Sequence, residues 1–214
     1  MRVALLAALL LSGCTTTVIT VEFMPNADWA QVAKASNSTV LIACMADNGV
    51  VICRGSGVMV APKTVVTARH LFRETPSAIV VQTASAKRST AAAILRMGDD
   101  DYDDWAILTL ANQLETPVME RVSGRLWHGE RVVVIGYALG LIEPTVTDGR
   151  YCGQEDNPHF YRVSADSVYG NSGGGAYVWR ERKLKLIGIM SRLAIARGSP
   201  VYHMAWATRI ERVK

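Results

Sequence analysis

The sequence predicts an all-β fold, a sandwich or a barrel, on the basis of two observations. From Thr39 onward, short runs rich in β-branched and aromatic residues alternate with Gly, Pro, Asn and Asp turn signals, and helical periodicity is scarce. Half of the 214 residues are apolar, which is enough to bury a substantial core. We expect strands at 39–46, 50–60, 64–68, 78–84, 91–97, 105–110, 131–136, 144–151, 159–164, 174–179, 184–191 and 201–207.

The N-terminus has the pattern of a targeting segment. Arg2 precedes the apolar run 3–11, which is too short to span a bilayer, and Cys14 follows Leu-Ser-Gly. This pattern resembles a bacterial lipoprotein signal over residues 1–13, with Cys14 as the lipidated first residue of the mature chain. An ordinary secretory signal with a chance cysteine is the alternative. Both place the mature chain outside the cytoplasm, and residues 14–37 are interpreted as a tether, with a weak helical stretch after Asn26.

The charge pattern gives little support for a nucleic-acid partner. The formal net charge of +4 is mild and is spread along the chain. The one dense basic cluster, residues 180–185, lies between two strand-like runs and is typical of an exposed hairpin turn. No C-x-x-C motif and no closely spaced His pair is found in the sequence, so we expect no metal site and no cofactor.

Two of the remaining cysteines are placed for a disulfide. Asn48-Gly49 predicts a two-residue type I′ hairpin turn, and pairing outward from it puts Cys44 opposite Cys53. The two form a non-hydrogen-bonded pair, for which Cα atoms lie about 4.5 Å apart, within disulfide range. An oxidising compartment favours this bridge, and two buried thiols are the alternative. Cys152 is expected to be unpaired.

Three short segments together supply the parts of a nucleophilic hydrolase. Val66-Thr67-Ala68-Arg69-His70 provides a base, Asp104-Trp105-Ala106-Ile107-Leu108 a carboxylate and Gly170-Asn171-Ser172-Gly173-Gly174 a hydroxyl. Each segment alone is weak, because a lone His is usually structural, an Asp run is usually a solvated loop and a Gly-rich stretch is usually a turn. Their combination, in the order His, Asp, Ser, is much harder to obtain by chance.

With these motifs the chain resembles the trypsin-like serine peptidases, in particular the bacterial envelope branch related to HtrA-type proteases. Gly55-Ser56-Gly57-Val58, the strand ending at His70, Val133-Val134-Ile135-Gly136-Tyr137 and the serine loop match segments of that family. The resemblance implies two six-stranded antiparallel β-barrels in a peptidase domain over residues 38–214. It places the two barrels at roughly 38–120 and 121–214.

The resemblance also implies the roles of the site residues. Ser172 is the nucleophile, His70 the general base and Asp104 the group that orients the histidine, while the Gly170 and Ser172 N–H groups face the oxyanion. The expected function is a serine endopeptidase acting on protein or peptide substrates and anchored to the bacterial envelope through lipid on Cys14. Two alternatives are a trypsin-fold binding lipoprotein with a blocked cleft and an unrelated β-rich structural lipoprotein.

Substrate preference is expected to depend on three residues near the serine. Asp166 lies six residues before Ser172, where trypsin, by resemblance, keeps the carboxylate that binds Arg or Lys. The opposite wall of the pocket is expected to include Ser191 and Leu193, and the bulk of Leu193 narrows the entrance. These features predict a weak preference for basic residues, and the alternative is that Asp166 merely caps a turn.

Overall fold

The computed structural model describes residues 26–84, 87–99, 102–154 and 158–214, in which one α-helix is followed by twelve β-strands. Each predicted strand has a counterpart, and the last two strands extend well beyond their predicted bounds. The elements are α1 Asn26–Ser38, β1 Thr39–Met45, β2 Val51–Ala61, β3 Thr64–Thr67, β4 Ala78–Gln82, β5 Ser89–Met97, β6 Ala106–Leu110, β7 Arg131–Gly136, β8 Thr145–Arg150, β9 Phe160–Val163, β10 Gly175–Arg180, β11 Lys183–Ala196 and β12 Ser199–Arg209.

The first six strands form a closed antiparallel barrel in the order β1-β2-β3-β6-β5-β4. Alternate residues point inward, because successive side chains of a strand face opposite sides of the sheet. In β1 these are Val40, Ile42 and Cys44, all fully buried, and they meet Val65 and Leu108 from across the barrel.

The other six strands form one antiparallel sheet in the order β8-β7-β10-β11-β12-β9. The two outer edges of this sheet meet just beyond the end of β8, around the isolated bridge between Tyr151 and Val163. Three backbone hydrogen bonds join them there: the Ser164 N–H donates to the Arg150 carbonyl at 2.9 Å, the Cys152 N–H to the Arg162 carbonyl at 2.8 Å and the Arg162 N–H to the Gly153 carbonyl at 3.0 Å. The mostly β fold with two six-stranded antiparallel sheets is therefore confirmed; the first sheet is a closed barrel, and the edges of the second are joined by these few bonds.

The two halves meet across a shared apolar layer. The strand β7 is apolar on both faces: Val132 and Val134 point into the second half, while Val133 and Ile135 face the first barrel. Val58, Val66 and Trp105 of the first half join this shared layer, as does Tyr177 of β10. The serine, histidine and aspartate motifs lie around the edge of this layer.

The helix α1 packs onto this layer as well. Val32 and Ala35 are buried in it, and the hydroxyls of Ser38 and Thr39 donate to the Ala35 carbonyl at 2.7 and 2.9 Å. Residues 26–37, which we assigned to the tether, thus form part of the packed fold, because a short apolar stripe finds a partner that the local pattern did not reveal. The predicted signal segment 1–13 and Cys14 lie outside the described residues. Within the described ranges, no helix is long and apolar enough to cross a membrane.

The hairpin between β1 and β2 carries the expected disulfide. Cys44 and Cys53 are cross-strand partners with Cα atoms 4.9 Å apart, and their sulfurs are bonded. The predicted two-residue turn is wrong: the Gly49 N–H donates to the Ala46 carbonyl, Ala46 and Val50 close the loop, and Gly49 alone has positive φ. This longer loop shifts the register by one residue, and a bulge between Cys44 and Met45 shifts it back. Cys152 is free.

Candidate active site

The structure brings His70, Asp104 and Ser172 together at the edge of the shared layer. The His70 Nε2 atom lies 2.9 Å from the Ser172 Oγ atom, and the His70 Nδ1 atom lies 2.8 Å from the Asp104 Oδ2 atom. Both distances are those of hydrogen bonds. A hydroxyl, an imidazole and a carboxylate are therefore connected in series, although 102 residues separate the serine from the histidine.

Local structure fixes the histidine. His70 lies in a short 3₁₀ helix, Arg69–Phe72, directly after β3, and Leu71 and Phe72 anchor this helix in the barrel core. Glycine at position 55 leaves room for the Leu71 side chain, because a Cβ at that position would lie 2.5 Å from it. The His70 backbone N–H also donates to Asp104 Oδ1 at 2.8 Å, so the carboxylate holds both the ring and the backbone of the histidine.

The Asp104 carboxylate is buried and fully engaged. Its side chain is 4% exposed, and the Ser191 hydroxyl donates to its Oδ2 atom. Burial by itself raises the pKa of a carboxyl group, but hydrogen bonds and charge from His70, together with the Ser191 bond, hold the pKa of Asp104 below its usual range. Asp104 is thus stabilised as the anion that can orient an imidazole and stabilise an imidazolium.

Ser191 has a contact that sequence reasoning missed. We expected it only as part of the substrate pocket, and it does line the cleft beside Leu193. Its hydroxyl, however, binds Asp104 from β11, and Thr208 of β12 donates to the Asp104 carbonyl at 3.2 Å. The second half of the molecule therefore holds the aspartate that the first half carries.

Asp103, the residue before Asp104, is also held by side chains of the second half. Its carboxylate accepts hydrogen bonds from the Arg212 guanidinium, at 2.9–3.1 Å, and from the His159 Nδ1 atom at 3.0 Å. Burial raises the pKa of Asp103, but the bonds and charges of Arg212 and His159 outweigh burial and lower it. The sequence shows only an Asp-rich run here, because both partners come from more than fifty residues away.

Backbone hydrogen bonds and a positive-φ glycine shape the serine loop, which is expected to supply the oxyanion hole. Gly170 has φ of +95°, and a Cβ at that position would lie 2.2 Å from the Tyr137 carbonyl oxygen. The Tyr169 carbonyl accepts the Leu139 N–H at 2.6 Å, and the Asn171 carbonyl accepts the Gly174 N–H at 2.8 Å. In a planar trans peptide the N–H points opposite to the C=O, so these two bonds direct the N–H groups of Gly170 and Ser172 away from their carbonyl partners.

A cleft of about 750 Å³ opens over the three side chains. Its remaining walls are mixed: the apolar side chains of Val168, Met190, Leu193 and Ile195 alternate with polar, aromatic and basic ones, which include Arg73 and Arg192. Asp166, expected at the base of a specificity pocket, does not line the cleft: it is exposed, and its carbonyl accepts a bond from the Thr147 hydroxyl at 2.8 Å. The next residue along the chain, Ser167, is buried and lines the cleft in place of Asp166.

Comparison with known proteins agrees with this geometry. The family model of the trypsin-like peptidase domain matches residues 55–189, more than half of the chain. The chain belongs to the trypsin-like peptidase family. This trypsin-like peptidase has its histidine, aspartate and serine motifs inside the matched region.

The individual proteins that match this chain share less than 30% sequence identity with it. The peroxisomal leader peptide-processing protease of Mus musculus is 28% identical over 127 residues, which cover 56% of this chain and 22% of the mouse protein. The serine endoprotease from Yersinia pestis superposes with a TM-score of 0.72 at 23% identity, covering 89% of this chain and 65% of that chain. The chain thus spans less than two thirds of either protein.

A second solved structure covers nearly all of both chains. Rv3671c from M. tuberculosis H37Rv, crystallised as a serine-to-alanine mutant in an inactive form, superposes with a TM-score of 0.68 at 21% identity over 92% of this chain and 93% of that one. At these identities the two bacterial structures establish the chymotrypsin-like fold. Among the described residues of the trypsin-like peptidase, no three His, Cys, Asp or Glu side chains are grouped to hold a metal ion.

Proposed function

We propose that this trypsin-like peptidase hydrolyses peptide bonds with Ser172 as its nucleophile. The Ser172 hydroxyl attacks the substrate carbonyl and gives its proton to His70 Nε2, which then protonates the leaving amine. Asp104 holds the histidine with Nδ1–H toward the carboxylate and stabilises the imidazolium. Water, activated by the same His70 nitrogen, then attacks the acyl-enzyme ester and releases the acid.

The observation that carries this proposal is the unbroken pair of hydrogen bonds, 2.9 Å from serine to histidine and 2.8 Å from histidine to aspartate. A nucleophile within hydrogen-bond reach of a base, itself oriented by a third group, is the signature of an activated hydroxyl. The N–H groups of Gly170 and Ser172 supply the stabilisation of the oxyanion. Preorganised donors of this kind are each worth about 2.7–4 kcal/mol in the transition state.

The open cleft favours an enzyme over the alternative of a binding lipoprotein with a blocked site. The His70 side chain is 23% exposed, and both it and Ser172 line the cleft of about 750 Å³. An extended peptide can therefore reach the nucleophile without a rearrangement of the described walls.

The cleft walls support a preference for small or medium apolar side chains before the cleaved bond. Met190, Val168 and Leu193 are apolar, and Leu193 takes up room that a long basic side chain needs. Arg73 and Arg192 line the same cleft, and their positive charge also disfavours a basic side chain of the substrate. Asp166 is outside the cleft, so the weak basic preference expected from the sequence is replaced here by an apolar one. A positional-scanning peptide library compared between wild type, Asp166→Ala and Leu193→Gly tests this. Unchanged selectivity in the first variant and larger accepted side chains in the second are expected, and a loss of basic preference in Asp166→Ala contradicts the proposal.

The location that best suits this peptidase is the bacterial envelope, with Cys14 lipidated after removal of residues 1–13. The apolar run ending in Leu-Ser-Gly-Cys supports this, and so does the Cys44–Cys53 disulfide, since such bonds persist in oxidising compartments. Mass spectrometry of membrane-extracted protein should find a diacylglycerol-modified Cys14 at the N-terminus. A chain that still begins at Met1, without lipid, contradicts the anchor but leaves the peptidase proposal intact.

Covalent labelling tests the catalytic proposal itself. A fluorophosphonate probe should label wild-type protein at Ser172, and peptide mapping should locate the adduct there. Ser172→Ala removes one oxygen and should abolish labelling without unfolding the protein. If folded wild-type protein is never labelled, the result contradicts the catalytic proposal and supports the alternative of a binding protein.

A further inference from the structure

Ser56 lies in β2 of the first barrel, beside the serine loop of the second half. It is fully buried, and Gly55 and Gly57 flank it. Its N–H and its hydroxyl together make three hydrogen bonds to backbone of the second half. Its N–H donates to the Ser172 carbonyl at 2.7 Å, and its hydroxyl donates to the Gly170 carbonyl at 2.7 Å.

The Ser56 hydroxyl also accepts a bond. The Tyr137 N–H donates to Ser56 Oγ at 2.8 Å, so the single hydroxyl proton is left for the Gly170 carbonyl. The Ser56 carbonyl accepts a hydrogen bond from the Thr67 hydroxyl of β3 at 2.6 Å. This bond connects Ser56 to the strand that leads to His70. The Ser56 hydroxyl thus both donates and accepts a hydrogen bond, and these two bonds connect two separate loops of the second half.

The surrounding glycines make this contact possible. A Cβ on Gly173 would lie 2.0 Å from the Ser56 carbonyl oxygen, and a Cβ on Gly136 would lie 3.1 Å from its hydroxyl oxygen. Backbone from two segments of the second half, 136–137 and 170–173, therefore converges on one serine. A lone buried hydroxyl between two glycines is the sequence signal that could have identified this contact.

Four consecutive carbonyls, those of residues 169 to 172, are each held by a hydrogen bond, and Ser56 holds two of them. The other two are held by the Leu139 and Gly174 N–H groups. The Gly170 carbonyl belongs to the planar peptide unit that lies between the units carrying the Gly170 and Ser172 N–H groups. The bond from Ser56 therefore restricts the backbone rotations on either side of that unit, and these rotations set the direction of both donors. Gly170 has the positive φ that few other residues adopt, so its conformation depends on such external bonds more than that of an ordinary residue.

We propose that Ser56 is a positioning residue for the oxyanion hole: its hydroxyl holds the Gly170 carbonyl, and thereby the two N–H donors, in the orientation that stabilises the tetrahedral intermediate. This inference rests on the proposed peptidase function and adds a residue of the first barrel to the machinery of the second half. Ser56 touches neither substrate nor the reacting atoms.

The test compares Ser56→Ala with Ser38→Ala in the full-length protein. Ser38 is also fully buried and also donates its hydroxyl to one backbone carbonyl, but at the end of α1, so it controls for loss of a buried hydroxyl. Directly removing one oxyanion donor lowers kcat by about 100- to 1,000-fold, so Ser56→Ala, acting through the backbone, should lower kcat by about 10- to 100-fold. KM should stay within about twofold, since the ground-state complex does not use the oxyanion hole fully.

A peptide aldehyde gives an independent readout, because its adduct with Ser172 places an oxygen in the oxyanion hole. Its inhibition constant should rise in Ser56→Ala in parallel with the loss in kcat/KM and stay unchanged in Ser38→Ala. Equal losses in both variants, or a raised KM with unchanged kcat, overturn the proposal. If Ser56→Ala does not fold, Ser56→Cys keeps the shape with a weaker donor and should show a smaller loss of the same kind.

Hydrogen exchange separates this inference from the proposed function. In Ser56→Ala, amides in peptides covering 137–141 and 168–174 should exchange faster, while those of the 44–53 hairpin should not change. If wild-type protein is never labelled by fluorophosphonate, the peptidase proposal fails, yet the exchange result still decides whether Ser56 holds the loop. Unchanged exchange at 168–174 refutes the positioning role whatever the activity.

Discussion

The two halves of this trypsin-like peptidase hold their site residues by different means. The first half is a closed barrel with a disulfide across its first hairpin, and its histidine follows directly on a paired strand. The second half is a six-stranded sheet whose outer edges are joined by three backbone hydrogen bonds around one bridge, and its serine lies on a loop shaped by positive-φ glycines. The described non-glycine residues with positive φ also all lie in the second half, and they are Leu139, Glu181, Arg182 and Arg197.

This contrast shows where the site depends on contacts between the halves. His70 is positioned mostly by its own barrel, whereas the serine loop is held by Ser56 of the first half and Asp104 is held by Ser191 and Thr208 of the second. Each half thus orients a group that the other half carries. The arrangement links catalytic geometry to the packing of the shared apolar layer.

The largest expected effect tests whether the halves act as one catalytic unit. Ser172→Ala and His70→Ala should each lower kcat by about a millionfold, because neither half activates a nucleophile alone. The double variant should lose no more than either single variant, since the second change removes nothing that still works. Steady-state kinetics on a fluorogenic peptide measures this, and additive losses would show that the two residues act separately.

The next effect concerns the strained loop of the second half. Gly170→Ala should lower kcat by at least about 100-fold, because a Cβ would lie 2.2 Å from the Tyr137 carbonyl oxygen and φ is +95°. Gly49→Ala is a matched control: its φ is also positive, but a Cβ there meets nothing within 4 Å. That control should lose some stability and keep its kcat. Similar kcat values for the two variants would contradict the proposed shape of the oxyanion hole.

The disulfide distinguishes the halves in stability. The double variant Cys44→Ala/Cys53→Ala should lower the free energy of unfolding by about 2–3 kcal/mol, as expected for a bridge that closes a short loop. Cys152→Ala, in the second half, removes a free thiol and should change the free energy of unfolding by less than about 0.5 kcal/mol. Denaturant unfolding under non-reducing conditions measures both. A large effect of Cys152→Ala alone would reverse the comparison.

The smallest effect concerns the ion pairs between Asp103, Arg212 and His159. Asp103→Asn should lower the free energy of unfolding by about 1–2 kcal/mol at pH 7. The pKa of Asp103 is lower in the folded state, so its contribution is fully present above the unfolded pKa of about 3.9 and is lost as pH falls further toward the folded value. The difference between wild type and variant should therefore shrink below about pH 4. A difference that grows on acidification would show that Asp103 is not stabilised as an anion.

Much of the fold could be predicted from local pattern. The twelve strands follow from short apolar runs between turn residues, and the cross-strand partners Cys44 and Cys53 follow from the position of Asn48-Gly49, although two compensating errors in register lie between them. The packed helix α1 was less visible, since only Val32 and Ala35 mark the face that the second half covers.

The sequence by itself determined the approximate positions of the twelve strands along the chain, and it identified His70, Asp104 and Ser172 as a candidate site with Gly170 beside it. Strand periodicity and short motifs express local geometry, so each of these can be recognised within a few residues of the chain. The tertiary structure alone decided that Asp166 faces solvent, that Ser191 binds Asp104 and that Arg212 and His159 hold Asp103. It also decided that Ser56 reaches the serine loop, because that contact joins residues 114 positions apart and depends on how the two halves pack against each other.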